Sequence, residues 1–253
     1  MESVEAKHIH NSTLKTHKLS FMAQICLRLL ATVATLAAAW IILTSKQTVA
    51  VFGMVVDARY SYSPAFKFFA YANVIVCAVS ALSLLLLLVI SYKSLVGMKF
   101  FYFFLHDLMV VTLLMAGCAA ATAIGYVGQH GNSHTGWMPI CDDFGKFCRK
   151  VAISVALSYF GVMVYLLLTI ISAVNSRWIQ IMSTLLMAGC AAATAIGWVG
   201  KYGNNHIGWT AVCDHFKNYC NRTAYSVVCS YAAVILYLLL TIISAKKSRN
   251  VQD

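Results

Sequence analysis

Six long apolar stretches, separated by short polar segments, dominate the hydropathy pattern of the chain. Each is long enough to cross a bilayer, which takes about 20 helical residues at about 1.5 Å per residue. They are too long and too continuous for the alternating strands of a membrane barrel. The pattern predicts an all-α integral membrane protein with spans at residues 20–44, 66–91, 101–127, 151–173, 178–200 and 223–245.

Part of this pattern is written twice, because residues 112–173 recur as residues 184–245. The strings TLLMAGCAAATAIG and LLLTIISA occur in both copies. Each copy predicts an apolar helix of small residues, a polar loop with two cysteines and a leucine-rich helix. The period is too long and the copies too few for a solenoid. The repeat indicates a duplicated membrane hairpin, added as residues 174–245 to a four-helix domain at 20–173.

Composition supports a membrane protein and excludes an ordinary soluble domain. Hydrophobic residues make up 60% of the chain and charged residues 11%, whereas a soluble domain carries about 25% charge. The net charge of +11 is scattered over loops and tails, which favours an anionic lipid surface over nucleic acid. Phosphate-binding loops, HExxH motifs and clusters of acid, base and nucleophile are absent from the sequence. We therefore expect no enzyme activity and no cofactor.

The polar segments predict the topology. Residues 1–19 and 246–253 are polar tails, and the first is expected to be disordered. The density of Lys and Arg favours cytosolic tails, although the bias is modest. An even number of spans places both termini on one side. The outer loop 45–65 is rich in β-branched residues over Thr48–Val56, which favours some strand there.

Two opposite charges fall inside predicted spans. Arg28 lies about 12 Å along the first helix and Asp107 about 9 Å along the third, at similar depth. A lone guanidinium there costs about 3 kcal/mol or more, so a pair between these helices is expected. The pair can be structural or, with His106, can mark an ion or proton route. The second copy has Ile179 and Trp178 at the matching positions, which favours the structural reading.

Small residues spaced by four form one face of the third helix and recur in the fifth. Such faces let helix backbones approach closely in lipid. Packing within the bundle and contact with another subunit both fit this pattern. The residues are Gly117, Ala121 and Gly125, with Gly189, Ala193 and Gly197 in the second copy.

The cysteines fall into two classes. Cys141 and Cys148 lie in the loop 128–150, and Cys213 and Cys220 lie in the loop 201–222. This spacing in an oxidising compartment favours two local disulfides. Zinc is the alternative, with His134, His206 and His215 near in sequence, but structural zinc ligands usually sit closer together. The other five cysteines fall inside helices as small apolar residues: Cys26, Cys77, Cys118, Cys190 and Cys229.

Two segments match the pattern for N-linked glycosylation. Asn221-Arg222-Thr223 lies in the last predicted outer loop, and sugar on Asn221 would place the duplicated hairpin in the lumen. Asn11-Ser12-Thr13 also matches, but only a tail on the outer side would be modified.

Several of these features together resemble one plant family. The intramembrane Arg28 and Asp107, the loop GNSHTGWMPICDDFGKFC at 131–148 and the segment YSPAFKFFAYAN at 62–73 resemble the Casparian strip membrane domain proteins and, within them, the CASP-like proteins. The resemblance implies a four-helix MARVEL-like bundle, to which this chain adds a hairpin. It also matches Arg28 and Asp107 to the family's charged pair, and Cys141 and Cys148 to its second-loop cysteines.

The resemblance implies a non-enzymatic plasma-membrane scaffold. Such a protein forms homo- and hetero-oligomers with other CASP-like proteins, contacts membrane lipid and organises cell-wall enzymes at membrane domains. The alternative is a small channel or transporter that uses Arg28 and Asp107. Transporters usually break helices at the binding site and have inverted halves, whereas both prolines, Pro64 and Pro139, fall in loops and the two copies are parallel.

Overall fold

The fold consists of six long helices and one β-hairpin. A computed structural model describes the backbone of residues 2–51, 54–92, 100–172 and 177–250, and the side chains of 22–50, 55–89, 103–169 and 181–244. All six helices contain a stretch that is long and apolar enough to cross a membrane, as the hydropathy pattern predicts. The helices are α1 (Glu2–Leu43), α2 (Pro64–Tyr92), α3 (Phe100–His130), α4 (Gly145–Ser172), α5 (Arg177–Tyr202) and α6 (Lys217–Asn250).

The amino-terminal tail corrects one expectation from composition. Helix α1 begins at Glu2, so the tail is helical and not disordered. The sequence contains neither glycine nor proline before Gly53, and these residues interrupt helices most strongly. A helix that forms in the apolar span can therefore continue back into the polar tail. At the other end of the chain, α6 likewise continues through Asn250.

A β-hairpin joins α1 to α2, in the loop where β-branched residues predict strand. Strands β1 (Lys46–Val51) and β2 (Met54–Arg59) pair antiparallel, with Lys46 opposite Arg59. A short 3₁₀ turn (Tyr60–Tyr62) leads to Pro64, which is the first residue of α2 and not a loop residue as the sequence predicts. Proline suits that position because the first turn of a helix needs no N–H donor there.

Helices α1 to α4 form a closed ring around one core. In the ring, α1 contacts α2 and α4, and α3 contacts the same two helices. Large side chains from all four helices fill its centre, including Ile42, Phe69, Leu114 and Leu168, each fully buried. This is the four-helix bundle that the sequence predicts for residues 20–173. Its predicted boundary at 173 falls between α4 and α5, outside the described residues.

The second hairpin lies outside this ring. Helix α5 packs along α3, and α6 packs mainly against α5. Ala116 and Ala119 of α3 meet Ala191 of α5 in a small cluster. Few side chains of α6 are buried, and large apolar ones along it are exposed, including Val228, Ile235 and Leu239.

We call the side of the bundle that holds the β-hairpin and the two cysteine loops the loop face. Here α4 and α6 each begin six residues earlier than the hydropathy pattern predicts, at Gly145 and Lys217. Cys148 and Cys220 therefore lie in first helical turns and not in loops. The hydropathy estimate placed these starts too late because Lys and Arg near the helix start lower the local average.

Candidate functional site

A buried ion pair joins α1 to α3. The guanidinium of Arg28 donates two hydrogen bonds to the carboxylate of Asp107, at 2.7 and 2.6 Å. The side chains are 1% and 0% exposed. Planar two-point contacts of this kind are the strongest form of ion pair. The structure therefore brings together the two charges that helical rise places at similar depth.

The helices around this pair supply further polar and aromatic contacts. The Phe103 ring lies 5.0 Å from the guanidinium carbon of Arg28, within the range of a cation–π contact. Nδ1 of His106 lies 2.9 Å from Asp107 Oδ1. From α2, Ser83 Oγ accepts a bond of 3.4 Å from Arg28. The charged residues predicted as one cluster thus meet, and they do so inside a helix-packed core.

A second polar layer connects α4 to α1 and α2. Ser158 Oγ of α4 donates to Asn73 Oδ1 of α2 at 2.6 Å. Ser154 Oγ of α4 donates to the carbonyl of Ala38 in α1 at 2.7 Å. All three side chains are buried, where paired polar groups fix one arrangement of helices. These residues carry no sequence motif; only their position on buried helix faces reveals them.

The duplicated hairpin keeps part of this polar set without its partners. Ser226 and Tyr237 stand where α4 has Ser154 and Tyr165. Tyr165 is fully buried and its hydroxyl bonds Ser80 of α2, whereas Tyr237 is 41% exposed. The second hairpin has therefore retained the helices of the first but not their place beside α1 and α2.

The two small-residue faces have different surroundings. A side chain at Gly117 would meet Ala72 and Phe69 of α2 at 3.2 to 3.4 Å, so this part of the first face packs inside the ring. Ala121 is buried as well, but Gly125 has open space around it. In the second copy, a methyl group added at Gly189 or Gly197 would meet nothing within 4 Å, and Ala193 is half-buried.

Each cysteine loop is closed by a disulfide, as the spacing favours. Cys141 bonds Cys148 and Cys213 bonds Cys220, each with Cα atoms 5.7 Å apart. The bonded sulfurs leave no thiolate for zinc, and the described residues contain no cluster of His, Cys, Asp or Glu that could hold a metal. The four loop cysteines thus form the two local disulfides that their spacing favours.

The loop backbone is shaped by glycine. Gly131 follows α3 with φ +67°, and a side chain there would lie 2.6 Å from the Trp137 carbonyl. Gly203 repeats this geometry after α5, with φ +69°. Backbone positions with a positive φ of this size strongly favour glycine. Each loop then turns back through a bridge between Asn132 and Trp137, or between Asn204 and Trp209.

The two loops contact each other through their tryptophans. The rings of Trp137 and Trp209 stack with centroids 5.4 Å apart. Nε1 of Trp137 donates to the carbonyl of Thr210, and Nε1 of Trp209 donates to the carbonyl of Met138, both at 3.0 Å. Sequence comparison marks these tryptophans only as repeated positions. Their contact is a tertiary feature that the pattern did not predict.

The second loop also reaches the segment before α2. The His206 ring stacks on Tyr62 with centroids 4.0 Å apart, and Asn204 Nδ2 donates to the Tyr62 carbonyl at 3.2 Å. Beneath these contacts lies a mainly apolar cavity of about 370 Å³, lined by Phe66, Val155 and Tyr159 among others. The duplicated hairpin thus covers part of the loop face of the four-helix ring.

The predicted glycosylation segment lies on a helix. Asn221 is exposed and belongs to α6, which begins at Lys217. The Thr223 hydroxyl donates to the backbone carbonyl of Tyr219 at 3.0 Å. The expected position in a loop was wrong because α6 starts earlier than the hydropathy pattern indicates.

Comparison with known proteins identifies the family of the chain. The model of the Casparian strip membrane protein domain matches residues 17–164 and again 179–236. The chain belongs to this family. Its match includes both Arg28 and Asp107, as well as both disulfide loops, so the family model recognises the four-helix ring and the added hairpin separately.

The similar family members are CASP-like plant proteins. CASP-like protein 1F1 of Vitis vinifera is 53% identical over 181 residues, which is 72% of this chain and 88% of the relative. CASP-like protein 1F2 of Populus trichocarpa is 50% identical over 181 residues, covering 72% of this chain and 100% of the relative. CASP-like protein 1F1 of Ricinus communis is 51% identical with the same coverage as the Populus protein. No solved structure matches the chain.

The lengths of these relatives bear on the duplication. The Populus protein is matched over its whole length by 181 residues, which is shorter than the stretch of 22–244 that holds six spans here. The stretch matched by this relative is thus shorter than the region that holds both hairpins here. The chain is thus a multi-pass CASP-like membrane protein with an added copy of one hairpin.

Proposed function

We propose that this protein is a non-enzymatic scaffold of the plasma membrane, which oligomerises into membrane domains and organises local cell-wall deposition. Its membership of the Casparian strip family supports this function. The observation that carries the proposal is that the charged side chains inside the helix bundle are buried and bonded to each other. Arg28 and Asp107 are 1% and 0% exposed and bond each other at two points, so that their role is to hold helices together.

The competing function is a channel or transporter built on the same two residues. Intramembrane charges that conduct ions or protons normally face a water-filled path. Here one oxygen of Asp107 is shared between Arg28 and His106, and the other is bonded to Arg28. Both carboxylate oxygens therefore contact protein groups at 2.6 to 2.9 Å, which favours the scaffold.

The outer surface suits lateral assembly. Large apolar side chains are exposed along α2, including Leu82, Leu85 and Val89, and along α6, including Val228 and Leu236. In lipid such surfaces associate through packing, because acyl chains are as apolar as the side chains. We expect the partners to be copies of this chain, other CASP-like proteins and lipid. Cell-wall enzymes would be held by the loop face, with both tails in the cytosol.

Fluorescence recovery after photobleaching tests the proposal. A tagged full-length chain in a plant plasma membrane is expected to recover slowly and incompletely within discrete patches. A lipid-anchored fluorescent protein in the same cell provides the rate of free diffusion. Uniform distribution with recovery as fast as this marker would contradict the scaffold.

A second measurement separates the scaffold from the channel. The double variant Arg28→Met with Asp107→Leu removes both charges together while keeping apolar volume. A scaffold should keep its patches and slow recovery, since a buried pair replaced by apolar residues often loses no stability. A channel that depends on these charges should keep its surface level and lose ion flux across vesicles.

A further inference from the structure

The contact between the two hairpins is reciprocal. Trp137 and Trp209 occupy matching positions of the two copies, as do Met138 and Thr210. Trp137 donates to Thr210 and Trp209 donates to Met138, at the same distance of 3.0 Å. A contact in which residue i meets j and j meets i is the signature of a two-fold interface.

The helices below these loops follow the same rule. Ala116 and Ala119 of α3 correspond to Ala188 and Ala191 of α5. These residues pack together in one small cluster, with Ala192 at its edge. Matching alanines thus face each other across the helix pair, which lets the two backbones approach closely. The pseudo-two-fold relation extends from the loop face into the membrane-spanning part.

The direction of the helices allows two separate chains to form the same two-fold contact. Both α3 and α5 run toward the loop face, because α4 lies between them and returns the chain to the opposite side of the bundle. The pseudo-two-fold axis therefore runs roughly along the membrane normal. Two chains inserted in the same direction can be related by such an axis, whereas an axis in the membrane plane would require opposite insertion.

We propose that the face of α3 and its loop formed by Ala116, Ala119, Trp137 and Met138, here called the pairing face, binds a second copy of the same four-helix unit. The added hairpin fills this face from within the chain. A covalent connection gives the internal copy an effective concentration on the order of mM. The full-length chain should therefore be closed on its pairing face and available for assembly only through other surfaces.

The geometry also indicates what a partner unit would gain. His206 of the added hairpin stacks on Tyr62, and its counterpart in the first copy, His134, is exposed. The added hairpin brings no second Tyr62 for His134 to meet. In a dimer of two four-helix units, both histidines would stack on a Tyr62 of the other unit, so the symmetric pair would make one contact more than the internal one.

The open small face of α5 is a weaker candidate for docking. By analogy with the ring, its partner would be an α1–α2 pair. An incoming Arg28 would then meet Ile179 where the ring offers Asp107, and it would remain unpaired. Nothing else in the described residues points to an occupant, so the inference concerns the pairing face alone.

Energy transfer between labelled full-length chains in lipid vesicles tests the proposal. Ala191→Ile overpacks the contact from the α5 side and leaves the pairing face on α3 intact. We expect it to release that face and to shift the equilibrium between free and paired chains toward pairs by about tenfold or more. The matched control is Ala232→Ile on the lipid-exposed side of α6. Transfer that stays at the wild-type level, or that rises equally with the control, would overturn the proposal.

A chain that ends at Ser172 provides a second test that does not depend on Ala191→Ile. Its four helices form a closed ring, and a relative is matched over its whole length by only 181 residues. Fully buried side chains from each of the four helices fill the centre of the ring: Ile42, Phe69, Leu114 and Leu168. This chain should show strong energy transfer, and Ala119→Ile should abolish it. The control Ala78→Ile, on the exposed side of α2, should leave the transfer unchanged. If the truncated chain has native helix content but shows energy transfer no higher than background, the proposal is overturned.

The inference rests on assembly as part of the proposed function, but the two can fail separately. Slow recovery in membrane patches without any effect of Ala191→Ile would keep the scaffold and remove the pairing face. Fast, uniform diffusion in the plasma membrane, together with pairing in vesicles after Ala191→Ile, would keep the pairing face and remove the scaffold.

Discussion

Asp107 accepts its two shortest hydrogen bonds from Arg28, which lies 79 residues earlier in the chain. This relationship explains which of the two similar hairpins closes the four-helix ring. The added hairpin has Ile179 at the position of Asp107. If it took the place of α3 and α4, Arg28 would be buried without a counter-charge, at a cost of several kcal/mol. The ion pair thus specifies the arrangement as well as joining two helices.

The first prediction concerns single and double replacement of this pair. Asp107→Leu alone should destabilise the fold by about 3–5 kcal/mol, because it leaves a buried guanidinium unpaired. Arg28→Met together with Asp107→Leu should recover most of that loss. Denaturant unfolding in mixed micelles, followed by far-UV circular dichroism, measures both variants.

Phe103→Leu is the matching control, because it removes an uncharged contact to the Arg28 guanidinium and leaves the ion pair in place. Phe103→Leu should cost about 1 kcal/mol beyond the change in apolar area, in line with a cation–π contact. A double replacement that is no more stable than Asp107→Leu would show that the two charges act independently and would remove the specifying role of the pair.

The sequence predicts the helices, the hairpin strand and the similar depth of Arg28 and Asp107 because each follows from local periodicity and helical rise. It does not predict where the second hairpin packs. Gly117 and Gly189 lie in identical strings, yet only Gly117 packs against α2. That choice depends on Asp107, more than one helical turn away from the string. The stacking of Trp137 on Trp209 depends in turn on the position of the whole hairpin.

The second prediction compares the two disulfides. Replacing Cys141 and Cys148 by serine should lower the free energy of unfolding by about 2–3 kcal/mol, as expected for a short closed loop. The first turn of α4, which carries Cys148, also docks on the β-hairpin, where Gln47 Oε1 accepts a bond of 2.7 Å from the Phe147 N–H. Unfolding of the ring, followed by tryptophan fluorescence, should therefore respond to this change.

The matched control is the pair Cys213 and Cys220. Their replacement should loosen the added hairpin and leave the ring nearly unchanged, because α6 contacts the ring only slightly. Hydrogen exchange resolves the two regions. Equal loss of protection in α1 to α4 from either replacement would contradict the separation of ring and hairpin.

The third prediction concerns pH at the loop face. The Tyr62 hydroxyl donates to the Asp57 carboxylate at 2.9 Å, and Arg59 bonds it at 2.5 Å. These contacts lower the pKa of Asp57 below its ordinary value of 3.8, with the Tyr62 bond as the largest cause. Since the charged form is favoured in the fold, the stabilisation is complete above that ordinary value and is lost as the pH falls through the lowered pKa.

A carbon NMR titration of the Asp57 carboxyl group checks this directly. The wild-type pKa should lie below 3.8, and Tyr62→Phe should move it upward because the donor is removed. Tyr60→Phe is the control, since the described contacts of Asp57 do not include Tyr60. An Asp57 pKa that does not change in Tyr62→Phe would contradict the assigned cause.

The last prediction tests which side of the membrane the loop face occupies. Asn11 and Asn221 each begin a glycosylation segment, and they lie at opposite ends of the helix bundle. Only a segment in the lumen of the secretory pathway can receive sugar. With the tails in the cytosol, Asn221 is the only one of the two that can be modified.

Asn221→Gln should then remove any sugar-dependent shift on a gel, and Asn11→Gln should leave it unchanged. A shift that depends on Asn11 would place the tails outside and reverse the proposed topology. Because Asn221 lies about one turn from the start of α6, a second sequon introduced at Asn205 by Ile207→Thr gives the same readout from an exposed loop position further from the membrane.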